Sequence, residues 1–577
     1  MNQKIPLASV DDQCNAAARE AVRQRISWPA NLTPANVTYH SRGHVLLLGS
    51  AQATHDAACA LQGRGLASIT LLATDTQASL SPLTGGSEPA VQHPLTSEQC
   101  QQLQITGYLG AFAVSLQPAS DAPLNLARAL IAREHFDVVL DMTGAGPASG
   151  VCRWELPPPG YLKWSAQPSA AGEPLESVLE RAVELVGEFD KPRYFQVNSD
   201  LCAHSSSGNI GCTRCLDVCP ADAITSYQGR IESRIEIDPF LCQGVGSCTS
   251  ACPTGAIEFR LPETRRQQDT LATWLAAYRD AGGTQPVMRF VTHDTLEAEK
   301  RAGVVTAGHV LDAPLEELGA AGHDQWLTAL ASGAAEVRIQ LHEAAPPRLN
   351  AFLSDQLAQA QSLLEALGHD PERIQLIAPG EQAARDALPR LMPLTDTLLA
   401  LSEPNKRTRL NQVLERLAAL GQPSGQRHGV TPGAAYGGLN VDSNACTLCL
   451  ACVSTCPTPA LAAGSDSPSL SFREADCVQC GLCEQACPEG AITLVPGFLA
   501  SPERLERYVC HEEAPFECIR CAKPFATVST VAMMKQKLAN HPYFAGEALA
   551  RLEMCEDCRV KDVWLTMARD PNAQLKV

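Results

Sequence analysis

Short apolar runs separated by a helical pattern predict layered α/β structure at the start of the chain. One apolar run covers residues 44–48, an alanine-rich helix follows to about Gln62, and a second run covers residues 68–72. A strand, a helix and a second strand in this order form a parallel β-α-β unit. Together with a further apolar run over residues 136–141, the pattern predicts a Rossmann-like α/β domain over residues 1–160.

The turn after the first strand argues against a bound dinucleotide. Residues 49–54, GSAQAT, keep only the first glycine of the G-x-G-x-x-G fingerprint. The later glycines of that fingerprint allow close approach of a pyrophosphate and tight packing of the helix on the strand. We predict that the domain keeps the layered scaffold without a nucleotide. A nucleotide site in this domain stays the alternative.

A second α/β pattern occupies the middle of the chain, where residues 263–420 contain no cysteine. Strand-like runs and helical patterns alternate there, over residues 287–291, 336–341, 350–367, 373–377 and 405–420. This order predicts a parallel sheet with helices packed on it. Without thiols the region holds no thiolate-bound cluster, so we expect a scaffold or a docking surface.

Proline and glycine clusters separate the parts of the chain. Pro157-Pro158-Pro159-Gly160 ends the first domain, because consecutive prolines continue neither a helix nor a central strand. A helix is predicted over residues 176–189, and the glycine-rich stretch 421–438 is predicted to be a linker. The predicted division is an α/β domain, a cysteine-rich module, a cysteine-free α/β domain, a second cysteine-rich module and a C-terminal metal-binding module, over residues 1–160, 190–262, 263–420, 439–497 and 505–577.

Composition narrows the range of functions. The chain has 577 residues, 24 cysteines and a formal net charge of −18. Cysteines clustered in a long chain indicate metal binding in a reducing compartment rather than a disulfide scaffold. The acidic excess argues against nucleic-acid binding, and no apolar run reaches the roughly 20 residues of a membrane span. The N-terminus lacks an apolar export segment, so we expect a cytoplasmic protein.

The second cysteine-rich module carries the pattern C-x2-C-x2-C-x3-C-P twice. Each run resembles the bacterial ferredoxin motif, in which three thiolates hold one cubane and the cysteine before proline serves the other cubane. The resemblance implies two [4Fe-4S] clusters in a ferredoxin-like fold, and a disulfide or zinc framework is the alternative. The implied ligand sets are Cys446, Cys449, Cys452 and Cys487 for one cluster, and Cys477, Cys480, Cys483 and Cys456 for the other.

The first cysteine-rich module lacks one cysteine in each run, because Asn209 and Val245 stand at the missing positions. Cys202 lies on the N-terminal side of Asn209, and a short polar loop between them would let its thiolate return to the vacant corner. No cysteine adjoins Val245. The expected ligand sets are Cys202, Cys212, Cys215 and Cys252 for a third [4Fe-4S] cluster, and Cys219, Cys242 and Cys248 for an incomplete site.

Three thiolates leave several outcomes open. Ferredoxin-like proteins that lack the second cysteine commonly carry a [3Fe-4S] cluster, which is the first expectation. A site-differentiated [4Fe-4S] cluster with a water or external ligand, or no cluster, are the alternatives. His204 lies two residues after Cys202 and is either a further ligand, a hydrogen-bond donor to a sulfide, or a solvated loop residue, with the last preferred.

Two C-x2-C pairs near the C-terminus predict a zinc site. Four thiolates in a tetrahedron are typical of structural zinc; here they are Cys518, Cys521, Cys555 and Cys558. A further iron-sulfur cluster or free redox-active thiols are the alternatives. Cys510-His511 lies nearby and either replaces one ligand or stays unligated, with the latter preferred. The cysteines that occur singly are expected to be small buried apolar residues: Cys14, Cys59, Cys100 and Cys152.

Longer segments resemble known proteins. CAHSSSGNIGCTRCLDVCP, together with CIRCAKPFA and MCEDCRV, resembles multi-cluster ferredoxin-type 4Fe-4S proteins of proteobacteria that accompany formate dehydrogenase components. ALASGAAEVRIQL and LLEALGHDPERIQLI resemble the delta subunit of methyl-viologen-reducing hydrogenase over about 60 residues, without that subunit's cluster cysteines. The resemblance implies a redox protein partner, such as a formate-dehydrogenase-like enzyme.

The sequence thus predicts an electron-transfer protein that relays single electrons between a dehydrogenase or a similar redox enzyme and an acceptor. Its expected cofactors are three [4Fe-4S] clusters, one [3Fe-4S] or site-differentiated cluster, and one zinc ion. No catalytic motif with a nucleophile beside a base is present. The rival functions are a flavin- or nicotinamide-linked oxidoreductase subunit of heterodisulfide-reductase type, and a maturation or redox-sensing factor for a formate-dehydrogenase-like enzyme.

Overall fold

The fold comes from a computed structural model, which describes most of the chain. The described residues are 7–29, 36–75, 90–117, 122–144, 154–165, 173–204, 209–230, 233–259, 263–465, 467–544 and 546–570. Cys152 and most of the polar loop that follows His204 lie outside these ranges. Helices, parallel sheets and short antiparallel hairpins all occur, so the chain has a mixed α/β fold.

A five-stranded sheet organises the N-terminal region. In spatial order its strands are Ala90–Pro94, Ser68–Ala73, His44–Gly49, Val138–Asp141 and Tyr161–Lys163. Every neighbouring pair is parallel. Helices Ala51–Leu61 and Leu175–Glu184 contribute to the core on one face, and a small antiparallel sheet with the helix Leu126–Ile131 contributes to the core on the other. That antiparallel sheet consists of Leu103–Thr106, Ala113–Leu116 and Leu124–Asn125.

The N-terminal layers continue beyond the proline run. The strand Tyr161–Lys163 follows Gly160 and forms the edge of the same sheet. The helix predicted over residues 176–189 spans Leu175–Glu184, so its last turn was predicted wrongly. Gly187 begins a strand, Gly187–Pro192, that pairs with Asn36–Ser41. Phe189, at the end of the helical pattern, therefore lies in a strand. Hydrogen bonds to a distant strand outweigh the local periodicity there.

A four-stranded parallel sheet forms the central domain. Its spatial order is Val310–Leu315, Val287–Thr292, Glu336–Gln340 and Ile374–Ile377. The helices of this region are Thr264–Asp280, His293–Arg301, His323–Ala331, Pro347–Ala366, Gln382–Asp386 and Lys406–Leu420. Arg289, in the strand Val287–Thr292, is buried and donates to Asp312 and to Glu299 at 2.7 and 3.0 Å. These two carboxylates neutralise the charge of the buried guanidinium.

The first helix of the chain, Leu7–Arg25, packs on the central domain and not on the N-terminal sheet. Its Ala18 and Val22 are buried in the central core. Arg19 donates to the carbonyl of Ala307 at 2.6 Å. Asn15 accepts a hydrogen bond from the amide of Thr284 at 2.8 Å. This helix is therefore part of the central domain by packing, although its partners lie more than 250 positions later in the chain.

Each cysteine-rich module has two short antiparallel ladders, one of which is a hairpin, and two short helices. In the first module the ladders are Phe195–Val197 with Ile257–Phe259 and Ile224–Gln228 with Ser233–Ile237, and the helices are Arg214–Asp217 and Ser247–Ala251. In the second they are Gly437–Val441 with Ile492–Pro496 and Leu461–Ala463 with Ser469–Arg473, and the helices are Ala451–Thr455 and Leu482–Ala486. The strand Arg507–Glu512 pairs with Ser469–Arg473 and extends that ladder of the second module to three strands.

The stretch predicted to be a linker is packed against its neighbours. Gln422 donates its amide to the carbonyl of Leu367 at 3.1 Å. The short strand Arg427–His428 pairs with Phe498–Leu499, and Arg427 donates to Glu474 at 2.9 Å. Tyr436 is buried. Residues 421–438 therefore hold the second module against the central domain.

The C-terminal region forms a small unit beside the second module. It contains the hairpin Pro515–Glu517 with Pro524–Thr527 and the helices Val528–Leu538, Glu547–Ala550 and Glu556–Arg569. Thr527 and Thr530 donate to the carbonyl of Thr447 at 3.1 and 2.6 Å, so the unit contacts a loop of the second module. Within the described part of the chain, every helix is too short or too polar to cross a bilayer.

Candidate metal centres

The outer thiol set of the second module surrounds a small cavity. Cys446, Cys449, Cys452 and Cys487 all line it. Burial raises the pKa of Cys452 to about 12, and the neighbouring thiols of Cys446, Cys449 and Cys487 add to the effect. Leu448 and Leu450 take left-handed backbone conformations between the cysteines. These turns bring closely spaced cysteines around one point, which fits a shared metal cluster.

The inner thiol set of the second module lies next to the outer one. Burial raises the pKa of Cys483, and the thiols of Cys477, Cys480 and Cys456 raise it further. Cys452 of the outer set is also close enough to contribute. Crowded thiols with raised pKa values lose their protons together only when a metal supplies positive charge. The residues present therefore fit two adjacent clusters.

Cys202 lies with the first thiol set of the first module. Burial raises the pKa of Cys215, and the nearby thiols of Cys252, Cys212 and Cys202 raise it further. The amide of Cys212 donates to the carbonyl of Ala203 at 3.3 Å. The Ser233 hydroxyl donates to the carbonyls of His204 and Asn209 at 2.6 and 3.1 Å, which fixes both ends of the polar loop. The structure thus brings together the four cysteines that the sequence grouped.

His204 is buried, so the preferred prediction of a solvated loop histidine is wrong. Only 1 % of its surface is exposed. One ring nitrogen, Nδ1, lies 2.9 Å from the carbonyl of Cys212, and the other, Nε2, lies 2.7 Å from the Ser226 hydroxyl. Both ring nitrogens therefore have protein partners, and the ring supports the loop that carries Cys212.

The incomplete site has three cysteines and a valine around one small cavity. Cys219, Cys242, Cys248 and Val245 all line it. Cys248 is fully buried, and burial followed by the thiols of Cys242 and Cys219 raises its pKa. Burial raises the pKa of Cys242 to about 11, with Cys219 adding to the shift. The three thiols fit an incomplete cluster site with a methyl-bearing side chain at the fourth corner.

Glycines on both sides of Val245 shape this corner. Gly244 and Gly246 have φ of +78° and +85°, where a side chain would strain the backbone. A Cβ on Gly246 would also lie 2.6 Å from the amide nitrogen of Ala320. Ser250 donates to the carbonyl of Gly319 at 2.6 Å. The loop that carries Val245 is therefore pressed directly against the central domain.

The two cysteine-rich modules meet in the region of Cys212 and Cys480, where Gln485 donates to the carbonyl of Ile210 at 3.3 Å. Burial raises the pKa of Cys480 to about 11, and Cys212 of the other module is one of the thiols that add to the shift. Arg214 donates to Cys212 Sγ at 3.3 Å and to the carbonyls of Gly433 and Gln479 at 2.7 and 3.4 Å. This guanidinium therefore joins the first module to the second and to the segment before it.

One helix of the central domain holds both modules at its first turn. Lys406 donates to the carbonyls of Thr249 and Ser250 in the first module at 2.8 and 3.0 Å. The next residue, Arg407, donates to the carbonyl of Cys477 in the second module at 2.7 Å. The sequence analysis missed Arg214 and this helix end as parts of the site, because their role depends on contacts between distant segments.

The C-terminal cysteines form a compact tetrad. The sulfur atoms of Cys518, Cys521, Cys555 and Cys558 all lie within 4.8 Å of one another, so the group could hold a metal ion. Burial of Cys518 is outweighed by the backbone amides of Cys555, Arg520 and Cys521, which lower the pKa of this thiol to about 6. A thiol that ionises near neutral pH is well suited to bind a metal.

Cys510 does not join that tetrad. It lies in the strand Arg507–Glu512, near Cys446, and burial raises its pKa to about 11. His511 Nε2 lies 3.0 Å from a carboxylate oxygen of Glu513. Of the single cysteines that the structure describes, Cys14 and Cys59 are exposed and Cys100 is half-buried, so the expectation of buried apolar residues was wrong for the first two.

The turn predicted to lack a nucleotide has a protein carboxylate at its helix end. Asp75 accepts a hydrogen bond from the amide of Ala51 at 2.6 Å, and Ser50 caps the same helix. A carboxylate at that point competes with a phosphate for the same amides and repels it.

Comparison with protein-family models matches both modules. Residues 210–256 match a model described as a 4Fe-4S dicluster domain, and residues 445–492 match a second model with the same description. A search of curated proteins gives no match to the chain. The matched segments contain the cysteine runs whose geometry is given above. The matches support an iron-sulfur protein with two dicluster domains, and these domains imply multiple [4Fe-4S] clusters.

Proposed function

We propose that the protein relays single electrons through four cluster positions in a fixed spatial order. The outer set of the second module comes first, its inner set next, then the set with Cys202, and last the set with Val245 at its fourth corner. Iron-sulfur clusters accept and release single electrons. The bridge that Arg214 makes between Cys212 and the carbonyl of Gln479 carries the proposal, because it joins what would otherwise be two separate pairs.

The ends of this order differ in exposure. At the outer end Cys449 is exposed and Cys446 and Cys487 are half-buried. At the other end Cys242 and Cys248 are buried, and the loop between them packs against the central domain. We propose that a redox protein, such as a formate-dehydrogenase-like enzyme, docks at the outer end near Cys449. The net charge of −18 favours a partner with a basic docking surface.

The cofactor content follows from the thiol sets. We propose [4Fe-4S] clusters at three sets, a [3Fe-4S] cluster at Cys219, Cys242 and Cys248, and zinc at the C-terminal tetrad. The methyl groups of Val245 cannot bind iron, which supports three irons at that site. Close sulfur spacing supports a single ion at the tetrad.

Metal analysis with EPR tests the proposal. Anaerobically prepared protein should contain roughly fifteen irons, as three times four plus three, and about one zinc. The oxidised protein should show a three-iron signal, and the reduced protein should show magnetic coupling between clusters of the two modules. A Cys480→Ser variant should retain reduction of the outer cluster by a protein donor and slow reduction of the three-thiolate site. Equal reduction rates in both proteins would overturn the fixed order.

A further inference from the structure

A large cavity lies on the far side of Val245 from the three thiols. It encloses about 680 Å³, which is within the range of small-molecule binding sites. Val245 lines both this cavity and the small one that Cys219, Cys242 and Cys248 surround. Gln243 also lines both, so these two residues form the wall between the two spaces. Gln243, whose side chain donates to the carbonyl of Pro157 at 2.8 Å, forms part of the same wall.

The cavity occupies the position at which parallel sheets bind ligands. The strand order of the central sheet reverses between Val287–Thr292 and Glu336–Gln340, because the chain proceeds outward from these two strands in opposite directions. Thr292, Gln340 and Leu341, at the carboxyl ends of these strands, line the cavity. Ligands of open α/β sheets bind in the crevice at this switch point. The cavity is therefore where the topology favours a ligand.

Charge restricts the class of ligand. Six carboxylates line the cavity: Asp294, Glu299, Glu316, Glu317, Glu343 and Glu381. The lining contains one arginine, Arg385, which donates to Glu299 at 3.0 Å and to Asp386 through both of its other nitrogens. A phosphate-bearing nucleotide would meet repulsion and no uncommitted guanidinium. A positively charged molecule would be attracted.

A polar pair lies at the wall of the cavity. Glu317 Oε2 and His342 Nε2 lie 3.5 Å apart, which makes them an ion pair when the imidazole is protonated, and neither atom makes a hydrogen bond. Buried polar atoms are normally hydrogen-bonded, so this pair marks a polar part of the cavity wall. Both residues line the space that Val245 closes.

We propose that this cavity binds a small organic cation that exchanges single electrons with the group held by Cys219, Cys242 and Cys248. In the reductive direction the bound molecule gains one electron and that group loses one, with no bond made or broken. The inference rests on the proposed relay for its supply of electrons, which a redox protein delivers at the outer end. Val245 then has two effects: it leaves the cluster one ligand short and brings the bound molecule next to it.

Two nitroxide probes test the binding step without electron flow. A trimethylammonium nitroxide and a carboxylate nitroxide share the same ring and differ in charge. With oxidised full-length protein, the cationic probe should bind and its EPR relaxation should be enhanced by the nearby paramagnetic cluster, while the anionic probe should stay unaffected. The double variant Glu316→Gln, Glu317→Gln should weaken binding by about tenfold, the scale of a partly screened charge interaction.

Matched variants separate the cavity from the rest of the surface. Ala344→Trp places a bulky side chain at an exposed position of the lining and should abolish binding. Glu365→Gln removes one exposed carboxylate of the helix Pro347–Ala366 outside the cavity and should leave binding unchanged. Equal binding of both probes, or binding that Ala344→Trp leaves intact, would overturn the site.

Transfer is tested with chemically reduced protein, which bypasses the relay. The bound cationic nitroxide should take one electron from the cluster and one proton from water to give the hydroxylamine, and its EPR signal should disappear. Ala344→Trp should retain the signal for longer. Binding without faster signal loss would overturn the exchange of electrons. Failure of the relay would instead appear only in the Cys480→Ser comparison, so the two results are distinguishable.

Discussion

The two dicluster modules share one backbone framework and differ at two corners. Cys480 of the second module and Val245 of the first occupy equivalent places in their runs, and the glycines after them, Gly481 and Gly246, have φ of +81° and +85°. The first module therefore has the same turn as the second, with a valine in place of the cysteine. Each of these two residues also lies near something outside its own thiol set. The thiol of Cys212 in the other module adds to the raised pKa of Cys480, whereas Val245 also lines the large cavity of the central domain.

In the proposed relay, electrons leave each module at this corner. In the second module the corner lies near a thiol set of the other module, and a cysteine occupies it. In the first module it leads to a cavity large enough for a small molecule, and the thiolate is replaced by a valine. The position at which the first module lacks a cysteine is therefore also the position at which it lines the large cavity.

Removing Cys202 should have the largest effect on the comparison. If this thiol replaces the ligand missing at Asn209, Cys202→Ala loses a whole cluster, about four irons of roughly fifteen. Iron analysis and EPR of the reduced protein measure the loss. Cys510→Ala is the matched control, because this thiol also lies near a cluster set and belongs to none. Full iron content in Cys202→Ala would show that the first module has no relocated ligand.

Restoring the missing thiolate should make the modules alike. Val245→Cys should gain about one iron, and the oxidised three-iron EPR signal should disappear, because a fourth thiolate completes the cubane. Val245→Ala, which removes the methyl groups without adding a ligand atom, should keep the three-iron signal. The same signal in both variants would show that the corner does not determine the cluster type.

Breaking the C-terminal tetrad should unfold the C-terminal unit and, of the two modules, affect only the second. Cys555→Ser should lose about one zinc and keep all its iron, because the tetrad is separate from the cluster sets. Proteolysis should then cut within residues 515–570, and air should oxidise the outer cluster of the second module faster, since Thr527 and Thr530 no longer cover Thr447. Cys59→Ser, at an exposed single cysteine, should change neither result.

Weakening the contact between the modules should have the smallest effect. Arg214→Lys keeps the charge and loses the planar fork that reaches three carbonyls and a sulfur. We expect a loss of about 1 to 3 kcal/mol, the usual range for unsatisfied buried groups. Denaturant titration measures this loss of stability, with the disappearance of magnetic coupling between the modules as the signal. Arg230→Lys, at an exposed position of the same module, should leave the midpoint unchanged.

The thiol sets could be predicted from the sequence because their spacing is local. Cysteines three or four positions apart lie close together on the chain, so the runs define their own geometry. The grouping of Cys202 with Cys212, Cys215 and Cys252 rested instead on the polar loop after Cys202, and in the structure the other three thiols add to the raised pKa of Cys215. The order of strands and helices in both α/β regions also follows from periodicity, with ends that shift by one to three residues, except for the helix predicted to end at residue 189, which ends at Glu184.

Contacts between distant segments could not be predicted in this way. Phe189 continues a helical pattern and lies in a strand, because its partner Tyr39 is 150 residues earlier. The stretch 421–438 has the composition of a linker, and its packing depends on Leu367 and Glu474. His204 is polar and lies in a loop, and the fold buries it against Cys212. Composition gives no information on which surface a segment meets.

The position of the helix Leu7–Arg25 has a consequence for how the chain is made. The helix is synthesised before the residues it packs against, such as Thr284 and Ala307, which follow more than 250 residues later. At about 5 to 20 residues per second, it waits for roughly 15 to 60 seconds. During that time its apolar face has no native partner, so aggregation of the nascent chain competes with docking of the helix on the central domain.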